Sequence, residues 1–402
     1  MRPELAGALI RRARLEKNWS QEGLCRGICS VSWLSKIEAG REGADPELVA
    51  ALFTRLGMDM SERPGAAELI DRCYEAAFSL DYEGCNALNA ELASARLENG
   101  PYCVDAELLG RLFSDERAVP DWLRAMEGAL EPRQRSLLYW LSGDFEALCR
   151  FDGAAYSFYL CGYEAYCLGK NTLALELLER ACRLASDEGR LRIFMNARLT
   201  IGNCYSNSMQ YEDMLRHYAA AERMARTLGD ADTVRSIEYN RAATALELGR
   251  AQEAYDALIR LGAESAMELH KLAVACELLG KREEALAALE RAEDPTTPSP
   301  EPARELAPRI CGLVRYRLEH PDYLERPEYG AELMELFETM RRELPIGYAS
   351  FHLPRVLEWL RARRMYRQAY ELLLEFPRYR AFNKTYTAVL DLIFPKQPSF
   401  LF

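Results

Sequence analysis

Histidine is scarce in this chain of 402 residues, with four in all, His217, His270, His320 and His352, so a His-based acid/base or metal site has little to draw on. No apolar run approaches the ~18 residues that a membrane-spanning helix needs. The start, Met1-Arg2-Pro3-Glu4, reaches charge again at Arg11 and Arg12 before a signal-peptide core could form. These absences predict a cytoplasmic protein with no membrane partner. No Cys-x-x-Cys pair occurs among the twelve cysteines. Cys25 and Cys29 could share a helix face, but tetrahedral zinc needs more ligands than they offer, and no His lies near them. Spread through a long chain without a secretion signal, the cysteines read as reduced, buried thiols. A Gly-rich phosphate loop, a nucleophile elbow and a His-Glu metal pair are also missing, and acid pairs such as Glu283-Glu284 are adjacent on a solvated helix. The chain is therefore not read as an enzyme, and no cofactor or metal is expected.

What is present describes a globular chain with room for two or three domains, 28% charged and 49% apolar. The net charge of −11 argues against a protein that coats nucleic acid. Its distribution qualifies that. Residues 1–60 carry nine Lys/Arg against eight Asp/Glu, so residues 61–402 hold a net −12, and residues 2–41 alone, with eight basic and four acidic side chains, carry +4. A small basic head precedes a large acidic body.

Within the head, Leu5, Leu9, Ile10 and Ala13 recur at helical spacing and predict a first helix that ends at Lys17-Asn18. Ser20 before Gln21-Glu22 is a helix-start signal, and the short helix from Gln21 to Arg26 stops at Gly27. Ser30 caps another, Val31 to Ala39, closed by Gly40; Pro46 then precedes an apolar helix over Leu48–Leu56. Two short helices joined by a tight turn form a helix-turn-helix unit. Leu34 and Ile37 face its core, so Val31, Ser32, Ser35 and Lys36 point outward, where a DNA major groove would meet them. The competing reading is a solvated face on a domain that serves protein contacts.

The run from Trp19 to Arg41 resembles the phage-repressor (Cro, XRE) type of DNA-binding domain. More narrowly, Gly27-Ile28-Cys29-Ser30-Val31-Ser32-Trp33-Leu34-Ser35-Lys36-Ile37-Glu38 is similar to the matching stretch of the peptide-pheromone-responsive regulators of the Rgg/PlcR/PrgX group. The match covers roughly residues 4–58 and departs at Gly23 and Ala39, where Glu and Asn are commoner. The resemblance implies that Gln21, Trp33 and Arg41 contact backbone phosphate while Val31, Ser32, Ser35 and Lys36 lie at base edges.

Beyond residue 61 strand signals are absent and the apolar period is helical. Leu168-Gly169-Lys170, Ser208-Met209-Gln210, Leu248-Gly249-Arg250 and Leu279-Gly280-Lys281 each separate two amphipathic segments, a recurrence that means a solenoid. The helix pairs resemble tetratricopeptide repeats over about residues 153–293. In that likeness Gly202 takes the small packing position of helix A with Tyr205 after it, and Met214, Tyr218 and Ala221 stand at helix-B contacts; in the last repeat Ala273 takes the helix-A position and Ala285, Leu289 and Ala292 the helix-B ones. Residues 66–150 should hold helix pairs of poorer pattern, with Pro101, Pro120 and Pro132 in loops. The expected fold is all-α, a five-helix helix-turn-helix DNA-binding domain followed by a tetratricopeptide-like α-solenoid. The expected domains are 1–60 for the head, 61–293 for the solenoid, 294–302 for a Pro-rich linker, and 303–402 for C-terminal helical repeats or a cap. That last segment includes a helix pair at 356–362 and 366–376 and an apolar end, Phe400-Leu401-Phe402, read as a docked tail.

Laying the repeat onto the sequence places one helix of each pair on an inner wall. There stand Tyr156, Tyr159, Tyr163 and Tyr166; Asn196, Leu199, Asn203, Ser206 and Asn207; Ser236, Tyr239, Ala243, Leu246 and Glu247 with Asn240 beside them; and Met267, His270, Lys271, Val274 and Glu277. Asn offers a donor and an acceptor to the unpaired amides of an extended peptide, and Tyr offers apolar area with a polar tip. The wall reads as a peptide groove, with Tyr156, Tyr159, Tyr163, Tyr166, Asn196, Asn203, Asn207, Tyr239, Asn240 and His270 as its binding residues. The alternative is that the tyrosines pack between helices and the asparagines are merely exposed. The pheromone-receptor resemblance also implies a short peptide, and the acidic body suits one with a positive end. A palindromic DNA operator takes two heads, which predicts a homodimer. Two other readings stay open, a scaffold using its repeats for another protein and a phage-type repressor or antitoxin without a peptide ligand.

Overall fold

The computed structural model describes residues 2–41, 45–61, 63–114, 118–299 and 303–376. Among them every regular element is a helix. Helix α1 (Pro3–Glu16) starts on Pro3, where the missing N–H costs nothing. Helix α2 (Gln21–Cys25) is capped by the Ser20 hydroxyl, which accepts from the Gly23 amide at 3.0 Å, and α3 (Val31–Glu38) by Ser30, which accepts from the Trp33 amide at 3.2 Å. Helix α4 (Pro46–Leu56) ends on Gly57 at φ 80°. Leu5, Leu9, Ile10, Leu24, Leu34, Ile37, Leu52 and Phe53 close the core between these four helices. Gly7 lets α1 cross α3 closely, since a Cβ there would lie 1.9 Å from the Ile37 carbonyl oxygen.

The fifth helix expected in the head, α5 (Ala66–Phe78), starts beyond residue 61. Gly57 and Gly65, both at positive φ, separate it from α4, and it packs on α6 (Tyr82–Ser94) and α7 (Cys103–Phe113). Then come α8 (Asp121–Ala125), α9 (Pro132–Leu141) and α10 (Phe145–Phe151). Of the three prolines expected in loops, Pro101 lies in a turn and Pro120 just before α8, whereas Pro132 opens α9. One apolar core runs unbroken from Leu5 to Leu138, so the head is packed on the helices that follow it. Two polar contacts reinforce that packing, the Arg12 guanidinium 3.5 Å from the Trp122 ring centroid and Arg2 Nη1 donating to the Leu130 carbonyl at 3.1 Å.

The chain forms two compact units divided between Leu160 and Cys161, inside α11 (Ala155–Cys167). The second unit continues with α12 (Asn171–Asp187), α13 (Leu191–Asn207), α14 (Tyr211–Leu228), α15 (Ala231–Glu247), α16 (Ala251–Leu261), α17 (Ala266–Leu278) and α18 (Arg282–Ala292). The four recurring tripeptides are the tight turns between helices. Gly169, Gly249 and Gly280 take φ of 71°, 75° and 71°, and Met209 takes the same left-handed conformation at 57° despite its side chain. Gly202 meets the ring of Tyr218 so closely that a Cβ would stand 2.4 Å from it, and Met214, Tyr218, Ala221, Ala273, Ala285 and Leu289 are fully buried. The polypeptide then passes through a turn in which the Ala266 amide donates to the Pro298 carbonyl at 2.9 Å. Pro300, Glu301 and Pro302 of the Pro-rich stretch, and Phe400, Leu401 and Phe402, lie outside the described residues.

Helices α19 (Ala307–Glu319), α20 (Pro327–Glu343), α21 (Ile346–Ala362) and α22 (Tyr366–Glu375) complete the unit. The pair expected at 356–362 and 366–376 is α21 and α22, but α21 begins at Ile346, and its first turns reach α13 of the solenoid. The twelve cysteines are all free thiols. No helix among the described residues is long and apolar enough to cross a membrane.

Candidate functional sites in the head and the solenoid

In the head, α3 presents one exposed face. Val31 is 43% exposed, Ser32, Ser35, Lys36 and Arg41 are exposed, Trp33 is half-buried, and Leu34 and Ile37 are buried behind them. The side chains expected at base edges thus share one surface. What holds that surface was not evident from sequence. Glu38 is buried and accepts three hydrogen bonds: from Arg14 Nε at 2.6 Å, Arg14 Nη2 at 2.8 Å and Gln21 Nε2 at 2.8 Å. Arg14 Nη1 also donates to the Trp19 carbonyl at 2.8 Å. The Glu38 hydrogen bond raises the Arg14 pKa above its ordinary value, and the paired charges tie α1, α2 and α3 into one body. The Gln21 amide, expected at phosphate, is used here to anchor α2 on α3. A charged residue in a helix reads as surface unless its partner is known, and Glu38 finds its partner 24 positions away.

In the second unit a recess of about 120 Å³ opens on the solenoid wall. It gathers Tyr166 from α11, Asn203, Ser206 and Asn207 from α13, Tyr239, Asn240, Ala243 and Glu247 from α15, and Lys271 from α17. Five of the ten expected peptide-binding residues are brought together there: Tyr166, Asn203, Asn207, Tyr239 and Asn240. The Asn203 carboxamide oxygen accepts from the Tyr218 hydroxyl at 2.7 Å and from Asn240 Nδ2 at 3.2 Å. Asn203 Nδ2 and Asn240 Oδ1 are thereby oriented and left without a protein partner among the described residues. Asn207 is 6% exposed, and its Nδ2 has no partner. Burial pushes the Lys271 ammonium down to about 7, an effect the charge of Glu247 offsets only in part.

The other expected residues do not line the recess. Tyr156 and Tyr159 belong to the first unit and are buried there, with Tyr156 stacked 4.5 Å from Phe78 and 5.9 Å from Trp140, its hydroxyl donating to Asp152. This is the interhelical packing of the alternative reading. Tyr163 is 40% exposed and Asn196 half-buried, both outside the recess. His270 is buried behind the wall, 5.5 Å from the His352 ring and 6.0 Å from Phe351, and neither of its ring nitrogens has a partner. Burial, aided by the Lys271 charge, pushes both histidines well below their usual pKa. Glu277 pairs bidentately with Arg317 at 2.7 Å, and Leu246, Met267 and Val274 are buried. No local pattern marks Gly347, Tyr348 and Phe351, which α21 adds to the recess from a distant part of the chain.

The fold and these sites define a helix-turn-helix head followed by an α-helical repeat body with a polar recess. Comparison with known proteins agrees. Residues 5–65 match the model of a helix-turn-helix domain, and the chain carries that domain at its N-terminus. Among solved structures, a Rap protein complexed with competence and sporulation factor has a TM-score of 0.55 at 14% identity, covering 81% of this chain and 99% of that one. The apo form of the quorum sensor NprR from Bacillus thuringiensis has a TM-score of 0.49 at 16% identity, over 82% of this chain and 98% of that one. PlcR of Bacillus thuringiensis, in complex with the peptide PapR7 and DNA, has a TM-score of 0.30 at 13% identity, over 71% and 99%. At these identities the likeness to the Rap protein is one of fold. No curated protein sequence matches the chain.

Proposed function

We propose that this protein is a sequence-specific, DNA-binding transcriptional regulator whose solenoid binds a short signalling peptide, and that it acts as a homodimer in the cytoplasm. The DNA half of the reading is supported by the helix-turn-helix match and by the exposed face of α3, with Val31, Ser32, Ser35 and Lys36 at base edges and Trp33, Arg41 and Gln21 at the backbone. For the last of these to reach phosphate, its amide leaves Glu38.

The observation that carries the peptide half is the polar wall of the recess. Asn203 and Asn240 fix each other's amides and leave one donor and one acceptor facing an open concavity. An extended peptide presents that complement along its backbone. The likeness to a Rap protein solved with competence and sporulation factor supports a body that holds a signalling ligand. Peptide binding would bias the solenoid between two arrangements in proportion to its differential affinity for them, and so alter the spacing of two heads on a palindromic operator. A gel shift on the chain's own upstream DNA tests the first half, and Ser32→Ala with Lys36→Ala must abolish it. A random short-peptide library tests the second. A binder lost on Asn203→Ala and Asn240→Ala supports it, and the lack of any such binder refutes it.

A further inference from the structure

The recess holds more donors than its own residues satisfy. Lys271 is 3% exposed, its Nζ lies 3.0 Å from the Phe351 ring centroid, and no carboxylate among the described residues comes within ion-pair distance of it. Glu247, the one acid in the lining, acts on Lys271 through its charge, which offsets the cost of burial only in part. Nearby, the buried Asn207 Nδ2 has no acceptor. The acceptor that might have served, Asn203 Oδ1, already takes two hydrogen bonds. Behind the wall His270 and His352 bring no negative charge, and the carboxylate of Glu277 is taken up by Arg317.

We infer that the recess binds a carboxylate of the ligand, held by the Lys271 ammonium with the Asn207 amide as second donor. The inference rests on the peptide reading for its source, a peptide's C-terminus or an acidic side chain. A buried ammonium with no carboxylate in direct contact is an unfavourable arrangement, and a guest anion relieves it through a charge-assisted hydrogen bond in a desolvated site. Burial is what lowers the Lys271 pKa, and an anion seated beside the ammonium would raise it again. A volume of about 120 Å³ admits one side chain or one chain end, not a whole peptide, so this is an anchoring subsite beside the asparagine wall. The positive end that the acidic body suggested is not what this recess selects.

The test uses the full-length protein and two sets of probes. The first is a short-peptide library in free-acid and C-terminally amidated forms, each with an acidic residue or its amide counterpart. The second is N-acetylleucine against N-acetylleucinamide, followed by ligand-observed NMR. The expected result is that carboxylate forms bind about tenfold or more tightly than the amides. Lys271→Met should remove that difference and Asn207→Ala should reduce it, and the terminal and side-chain arms identify which carboxylate is read. Equal binding of acid and amide forms by wild type and Lys271→Met overturns the carboxylate site and leaves the peptide reading standing. Lys271-dependent binding of N-acetylleucine with no peptide binder keeps the site and overturns the peptide reading. No binding of either probe set overturns both.

Discussion

Glu38→Gln keeps the size of the side chain and removes its charge, leaving Arg14 buried among α1, α2 and α3 without a counter-ion. The Arg14 and Glu38 side chains are 10% and 4% exposed, so solvent screens little of the loss. Three hydrogen bonds converge on the carboxylate, and breaking one partner of a buried pair costs about 3–5 kcal/mol. Replacing both partners by apolar residues, as in Arg14→Met with Glu38→Leu, leaves no orphaned charge, and the double variant should lie within about 1 kcal/mol of wild type. Hydrogen exchange of the α3 amides from Trp33 to Glu38 reads the opening free energy of the head. The single substitution should raise those exchange rates by about a hundredfold or more, and the double variant should restore most of the protection. A cost below about 1 kcal/mol for Glu38→Gln, or a double variant that costs the sum of its parts, would refute the view that this pair holds α3 in place.

Three further outcomes follow from the packing. Gly202→Ala, which would stabilise an ordinary helix by about 1 kcal/mol, should destabilise this one by ~1–2 kcal/mol because its Cβ collides with Tyr218; chemical denaturation should show no such cost when Tyr218→Leu is already present. Met209→Gly should raise stability by about 0.5–1 kcal/mol in the same measurement, since the left-handed φ of 57° strains any residue with a Cβ. His217 is pushed from 6.5 down to about 4 by burial, with Arg198 and Arg216 adding to the effect. Below pH 6.5 the unfolded chain binds a proton that the folded one refuses, so this contribution is full above pH 6.5 and is lost as the pH falls toward 4, by at most about 1.4 kcal/mol per unit. His217→Gln should flatten the acid limb of a stability-versus-pH curve by that amount, and an unchanged slope would contradict it.

The parts of the fold legible in the sequence were those written in local chemistry. Ser20 and Ser30 announce helix starts because a hydroxyl caps amides three residues away, and Gly169, Gly249 and Gly280 announce turns because few other residues take a left-handed φ cheaply. Met209 was legible only through its place in the series. Periodicity says that a side chain leaves the helix on a given face, but it does not say whether that face meets solvent or another helix. Tyr156 and Tyr159 therefore sat on the same inferred stripe as Tyr166 while packing in a different unit. The Arg14–Glu38 pair and the contribution of α21 to the recess are pairings between distant segments, for which the sequence carries no local sign.

On the proposed function, a ligand in the solenoid recess changes DNA binding by the head. Fluorescence anisotropy of a labelled upstream DNA fragment, titrated with the full-length protein with and without a library-selected peptide, measures that coupling. The expected result is a shift in DNA affinity of about fivefold or more, in either direction, that disappears in the Asn203→Ala, Asn240→Ala variant. A peptide that binds the recess and leaves the DNA titration unchanged would contradict it.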